Sequence, residues 1–160
     1  MNKVPETKKK VTLIGAVHAE VGREFVYDGP VPACADCPLI RACANLEKGK
    51  RYEIIAKRPT HHVCRIHHGH VCAVDVLEAP ICALISCEEA RPNTTITFRH
   101  PCAHERCEQY ARCNPEGILV GQKYIIINRY DEFYDDCQLG KKRALVKLIP
   151  LPEGLPHISG

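Results

Sequence analysis

"CADCPLIRACANLEKGKRYEII", residues 34–55, packs three cysteines into about a dozen residues and follows them with a glycine, a basic residue, a tyrosine and an apolar run. Residues 102–127, "CAHERCEQYARCNPEGILVGQKYIII", repeat that order. The two triplets are Cys34-x2-Cys37-x5-Cys43 and Cys102-x4-Cys107-x5-Cys113. A fourth cysteine follows each tyrosine, Cys64 at 12 residues past Tyr52 and Cys137 at 13 past Tyr124. A β-prone stretch ending in proline precedes each triplet, "EFVYDGP" at 24–30 and "TITFRHP" at 95–101. Landmarks that recur in one order at offsets of 68 to 73 residues mark an internal duplication.

Around these landmarks the chain reads as mostly β. The runs "VTLIGAV", "EFVY", "YEIIA", "VCAVDVL", "ICALIS", "TITF", "YIIIN" and "ALVKLI" are short, β-branched and bounded by Gly, Pro or charged residues. Helix is expected only over 38–46 and 104–113, one to three turns each, with Pro38 suited to a first helical turn. The expected architecture is two pseudo-repeated units of short strands with cysteine-bearing turns, packed as one compact domain. Polar tails are expected at 1–10 and 150–160, with the units over 11–70 and 71–149.

Composition narrows the class. The chain has 160 residues, 45% of them hydrophobic, so a packed core rather than disorder is expected. A net charge of +3 is too small to imply a nucleic-acid partner by itself. The apolar run after "MNKVPETKKK" is too short for a signal-peptide core, and nothing approaches a membrane span. A cytoplasmic protein is expected. Eleven cysteines in such a protein point to metal or redox chemistry, with disulfides as the alternative that holds for some thermophile proteins.

Four thiolates from one unit form a soft, all-sulfur site that selects zinc or an iron–sulfur cluster over hard cations. A structural zinc is commonly gripped by two C-x2-C knuckles. Here each unit has a triplet and a lone cysteine, and the second unit has no C-x2-C at all. An iron–sulfur cluster accepts wider spacing, with several ligands on one loop and one from elsewhere. The candidate metal ligands are therefore Cys34, Cys37, Cys43 and Cys64, then Cys102, Cys107, Cys113 and Cys137. Two iron–sulfur clusters, of the four-iron kind, are favoured over zinc. The stretch "HHVCRIHHGH" (61–70) adds His67 as a candidate further ligand, against a plain reading as a connecting turn. Cys72, Cys82 and Cys87 lie in strand-like runs and read as core residues.

The ordered pattern G-x-x-F-x-Y-x-G-P, C-x2-C-x5-C-x-N-L-x-x-G-x-x-Y and H-x-C-x-x-H resembles that of uncharacterised protein family 0179, found mainly in archaea. It is carried by Gly22, Phe25, Tyr27, Gly29, Pro30, Cys34, Cys37, Cys43, Asn45, Leu46, Gly49, Tyr52, His62, Cys64 and His67, after the strand Val11–Gly15. Cys102, Cys107, Cys113, Pro115, Gly117, Gly121, Tyr124 and Cys137 continue it. The resemblance covers nearly the whole chain. It implies two cysteine clusters suggested to be iron–sulfur redox centres, with no reaction assigned.

Two functions remain open at the level of sequence. One is electron transfer with a redox partner protein. The other is a zinc-stapled binding module contacting RNA or a protein, with Lys48, Lys50, Arg51, Tyr52, Lys123 and Tyr124 as the nucleic-acid contacts. No P-loop, G-x-G-x-x-G, G-x-S-x-G or H-E-x-x-H motif is present, so no catalytic residue is nominated.

Overall fold

The computed structural model describes residues 8–67, 69–99, 102–134 and 137–151. Each half of the chain builds a four-stranded antiparallel sheet. Strands β1 (Lys10–Gly15), β2 (Glu24–Val26), β3 (Arg51–Cys64) and β4 (Gly69–Glu78) lie in the order β1-β4-β3-β2. Strands β5 (Ile81–Ser86), β6 (Thr95–Thr97), β7 (Lys123–Tyr134) and β8 (Arg143–Pro150) lie in the order β5-β8-β7-β6. The connectivity is identical, so the sequence repeat is a repeat of topology. All eight strand-like runs of the sequence lie in or overlap these strands.

The boundary between the units falls after Ala79, not after residue 70. The reason is β4, which belongs to the first sheet, where it pairs with both β1 and β3. The expected tails are also shorter than drawn. Residues 1–7 and 152–160 lie outside the described residues, but Lys10 already opens β1, Pro150 still belongs to β8 and Leu151 is buried. The histidine-rich stretch is not a free loop either: His61 and His62 lie in β3, and His70 lies in β4.

Local devices repeat with the strands. The Gly22 N–H donates to the Ile54 carbonyl at 2.7 Å, and the Asn93 N–H donates to the Ile126 carbonyl at 2.7 Å. Both donors need left-handed backbone, with φ of +90° at Gly22 and +65° at Asn93. Glycine and asparagine are the residues that adopt it at least cost. Each long strand slips register at matching places, between Ile54 and Ala56 in β3 and between Ile126 and Asn128 in β7. Such bulges bend a strand locally.

Each unit buries its own core. In the first, Tyr52, Ile54, Cys72, Val74 and Val76 pack together with Leu46. In the second, Tyr124, Ile126, Ala144, Val146 and Leu148 pack with Phe98. Tyr52 and Tyr124 are both 1% exposed. Burying an aromatic side chain of this size contributes about 2 kcal/mol, and an unpaired buried hydroxyl would cancel most of that. Both hydroxyls are paired: Tyr52 Oη accepts the Glu47 N–H at 2.9 Å, and Tyr124 Oη accepts the Leu119 N–H at 2.8 Å. Each tyrosine thereby ties the segment that follows a cysteine triplet to the sheet.

The helical segments shrink to single turns, α1 (Ile40–Cys43) and α2 (Tyr110–Cys113). Each carries the last cysteine of its triplet at its end. In the first unit α1 is pinned to β1: the Thr12 hydroxyl lies 3.4 Å from the Cys43 carbonyl, and Asn45 Nδ2 donates to the Val11 carbonyl at 2.6 Å. In the second, Asn114 Nδ2 ties the end of α2 back to the Cys102 carbonyl at 3.0 Å.

Candidate metal centres

Each triplet folds as a chain of tight turns. The Cys37 N–H donates to the Cys34 carbonyl at 3.0 Å, Ile40 N–H to the Cys37 carbonyl at 3.2 Å, and Cys43 N–H to the Leu39 carbonyl at 2.9 Å. The second triplet repeats these bonds from Cys107, Tyr110 and Cys113 to His104, Cys107 and Gln109. His104 thus takes the backbone place of Cys34, and Cys102 supplies its thiol from two residues earlier. That two-residue displacement is why the second triplet lacks a C-x2-C.

The fourth cysteine of each unit joins its own triplet. Cys34, Cys37, Cys43 and Cys64 line one cavity of about 270 Å³. Cys102, Cys107, Cys113 and Cys137 line another of about 20 Å³. Electrostatics report the same convergence. Burial pushes the Cys43 thiol up, and Cys34, Cys64 and Cys37 push it further. Burial likewise raises Cys113, against the neighbouring Arg143, with Cys102, Cys107 and Cys137 adding to the rise. Thiols that repel one another's charge will ionise together only when a cation neutralises them.

Several sulfurs already accept main-chain donors. Ile66 N–H points to Cys64 Sγ at 3.4 Å, and Gln109 N–H to Cys107 Sγ at 3.4 Å, each from two residues onward. Cys137 is drawn below the usual thiol range first by the N–H groups of Lys141 and Leu139, then by the charges of Arg143 and Lys141, against slight burial. Cys43 instead donates to the Leu13 carbonyl at 3.8 Å. All eleven cysteines are free thiols. Among the described residues, no three His, Cys, Asp or Glu side chains stand close enough together to hold a single metal ion.

The donor sets fit a sulfur-ligated group on chemical grounds, and two buried polar atoms add to the fit. Arg143 Nε and Asn114 Oδ1 are buried without a hydrogen-bond partner. Arg143 lines the second cavity, and Asn114 directly follows Cys113. An orphaned guanidinium N–H beside four thiols matches an anionic sulfur-bound group.

The structure sorts the remaining candidates. His67 is exposed but lines the first cavity, packed against Gly15, where a Cβ would come within 2.8 Å of its Nδ1. The RNA-contact set is corrected. Tyr52 and Tyr124 are buried with their hydroxyls bonded inward, so neither can stack on a base. Lys50 is 7% exposed and held by Glu47 at 2.7 Å and Glu78 at 3.0 Å, while Arg51 lies 3.6 Å from Glu24. Of that set only Lys48 is fully exposed, with Lys123 half-buried. Cys72 is core, with its thiol donating to the Arg58 carbonyl at 3.2 Å, and Cys87 packs at the edge of the second core. Cys82 is exposed instead, because on edge strand β5 its neighbours Ile81 and Ala83 take the inward face.

Sequence reasoning missed Tyr27, His18, His104, Gln138 and Arg143, all of which line the two cavities. Tyr27 is pushed up first by burial and then by Cys43 and Cys34. His104 Nε2 and Gln138 Oε1 are hydrogen-bonded across the second cavity. Aligning the two repeats turn by turn, rather than cysteine by cysteine, would have exposed His104.

Fold and site together define a duplicated, thiol-rich β protein. Residues 10–148 match the family described as Uncharacterised protein family (UPF0179), and the chain belongs to it. It is 44% identical over 154 residues to a UPF0179 protein of Methanospirillum hungatei, covering 96% of this chain and 98% of the relative. It is 42% identical over 145 residues to one of Methanoregula boonei, covering 91% and 98%. A third, from Methanosarcina mazei, is 35% identical over 145 residues, covering 89% and 97%. These relatives come from archaeal methanogens. No solved structure matches the chain. No helix among the described residues is long and apolar enough to cross a membrane.

Proposed function

We propose that the protein is a redox protein in which each unit holds an iron–sulfur cluster on its own four cysteines and exchanges electrons with a partner redox protein. The observation that carries this reading is the convergence, in both units, of a triplet and a lone fourth cysteine on one cavity. Such a group supplies reversible one-electron transfer. The chain's part is to present four thiolates from a tight turn, a one-turn helix and a fourth position at or after the end of the long strand, Cys64 closing β3 and Cys137 following β7. The N–H groups of Ile66 and Gln109, and those reaching Cys137, stabilise negative charge on sulfur. Apolar walls of Leu13, Leu39 and Val71 limit the water that reaches the first site. A reducing cytoplasm, which keeps thiols free for ligation, is the compartment that goes with this chemistry.

Anaerobic purification followed by iron and acid-labile sulfide analysis tests the proposal. A brown protein with about eight iron and eight sulfide per chain is expected for two four-iron clusters. A colourless protein lacking both would refute it, and about two zinc per chain would return the zinc-stapled alternative.

A further inference from the structure

The two thiol sets repeat, but their surroundings do not. In the first cavity the walls beyond the cysteines are apolar or neutral, with Phe25, Tyr27, Leu39 and Val71 among them, and among the described residues its only basic side chains are His18 and His67. Val71 on β4 pairs with Gly15 on β1. At the matching position in the second unit, Arg143 on β8 pairs with Ser86 on β5. One repeat thus has a valine where the other has a guanidinium, and that guanidinium lines the second cavity beside Cys113 and Cys137.

Arg143 forms no ion pair among the described residues, and its Nε is buried with no hydrogen-bond partner. The adjoining polar pocket of about 70 Å³ holds Arg99 and Glu89 along with it. Among the described residues that line it, one acid and one further arginine cancel to first order, which leaves the charge of Arg143 as the balance there. A half-buried cation whose Nε–H is buried without a partner is costly unless an anionic group lies beside it. The four thiolates, and whatever they hold, are that group. Main-chain donors act in the same sense: Cys137 accepts from the N–H groups of Lys141 and Leu139.

Reduction adds one negative charge to a cluster. Nearby positive charge and hydrogen bonds to sulfur favour the state that carries it. Resting on the iron–sulfur reading above, we infer that Arg143 makes the second centre the more easily reduced of the two, so that the chain carries one higher-potential and one lower-potential centre. The wider first cavity gives water more access, which acts the other way. A full charge and an unspent, buried N–H beside Cys113 and Cys137, where the first unit has only a valine, outweigh it.

Reductive titration of the full-length, anaerobically prepared protein with dithionite and redox mediators tests the inference, followed by visible absorption and electron paramagnetic resonance. Two one-electron steps are expected. R143Q lowers the upper step by at least tenfold in equilibrium constant, about 59 mV for one electron, and leaves the lower step in place. R143K, which keeps the charge, retains most of the wild-type separation. Two coincident steps in the wild type overturn the inference. So does an R143Q protein with full iron and sulfide in which neither step moves, or in which the lower step moves. If R143Q halves the iron content, the surviving step must lie at the lower wild-type potential, and survival at the upper one overturns the assignment. Each of these outcomes leaves the iron–sulfur reading intact, whereas wild-type protein free of iron and sulfide overturns both the inference and that reading.

Discussion

Tyr52→Phe and Tyr124→Phe remove one atom each from matching places in the two units, and their costs follow from the structure. Both rings are 1% exposed, so phenylalanine fills the same space and leaves no cavity. What is lost is the bond from the Glu47 N–H at 2.9 Å or the Leu119 N–H at 2.8 Å. Each part-buried backbone N–H is then left facing an apolar ring edge. A hydrogen bond contributes about 1 kcal/mol net, and a stranded buried donor costs about 1–3 kcal/mol, so each variant is expected to lose about 2 kcal/mol. For units of this size, that lowers the unfolding temperature by roughly 8–16 °C if each unit melts on its own. Urea denaturation followed by circular dichroism, on metal-loaded protein under anaerobic conditions, gives the number. Losses that agree to within about 0.5 kcal/mol support equivalent anchors. A loss below about 0.3 kcal/mol in either variant would refute the argument that these hydroxyls hold the cysteine-bearing segments to the sheets.

Other outcomes follow from the same structure. Lys50→Met strands Glu78 next to a buried methionine and is expected to cost about 2–3 kcal/mol in the same denaturation assay, since removing one partner leaves a buried charge unpaired. Gly22→Ala meets no atom within 4 Å, so only its φ of +90° opposes it; a loss of about 1 kcal/mol is expected, and Gly22→Asn should recover part of it because Asn93 holds the same place in the second unit. The first unit should lose stability in alkali. Tyr52 is raised, first by burial, and so holds its proton more tightly folded than unfolded. Its contribution is complete below the ordinary tyrosine value of about 10 and fades as the pH climbs through the folded value. Stability measured at pH 8 and pH 11 should therefore fall less in Tyr52→Phe than in the wild type.

The duplication and the eight strands were legible in the sequence because both are local signals. Alternating β-branched runs mark strands, and recurring Cys, Gly and Tyr at one offset mark a repeat. That β4 completes the first sheet was not legible. Residues 71–76 are buried along their whole length because β4 is central, and a continuous apolar run does not say which sheet surrounds it. The grouping of each triplet with its own fourth cysteine was readable from spacing, and the structure lines one cavity with each set of four. Tyr52, Tyr124 and Lys50 were misread as surface contacts because basic and aromatic residues next to a glycine look alike whether they face water or the core. Arg143 was hidden for the opposite reason. It ends the exposed-looking run Lys141–Arg143, and only strand register turns its side chain toward the thiols.

Iron and acid-labile sulfide per chain, counted in the wild type, in Cys64→Ala and in Cys137→Ala, tests most directly that each unit holds its own centre. Each single variant should retain about half the wild-type iron and sulfide, with full secondary structure by circular dichroism. A single variant that empties both centres, or wild-type protein with neither iron nor sulfide, would contradict the account.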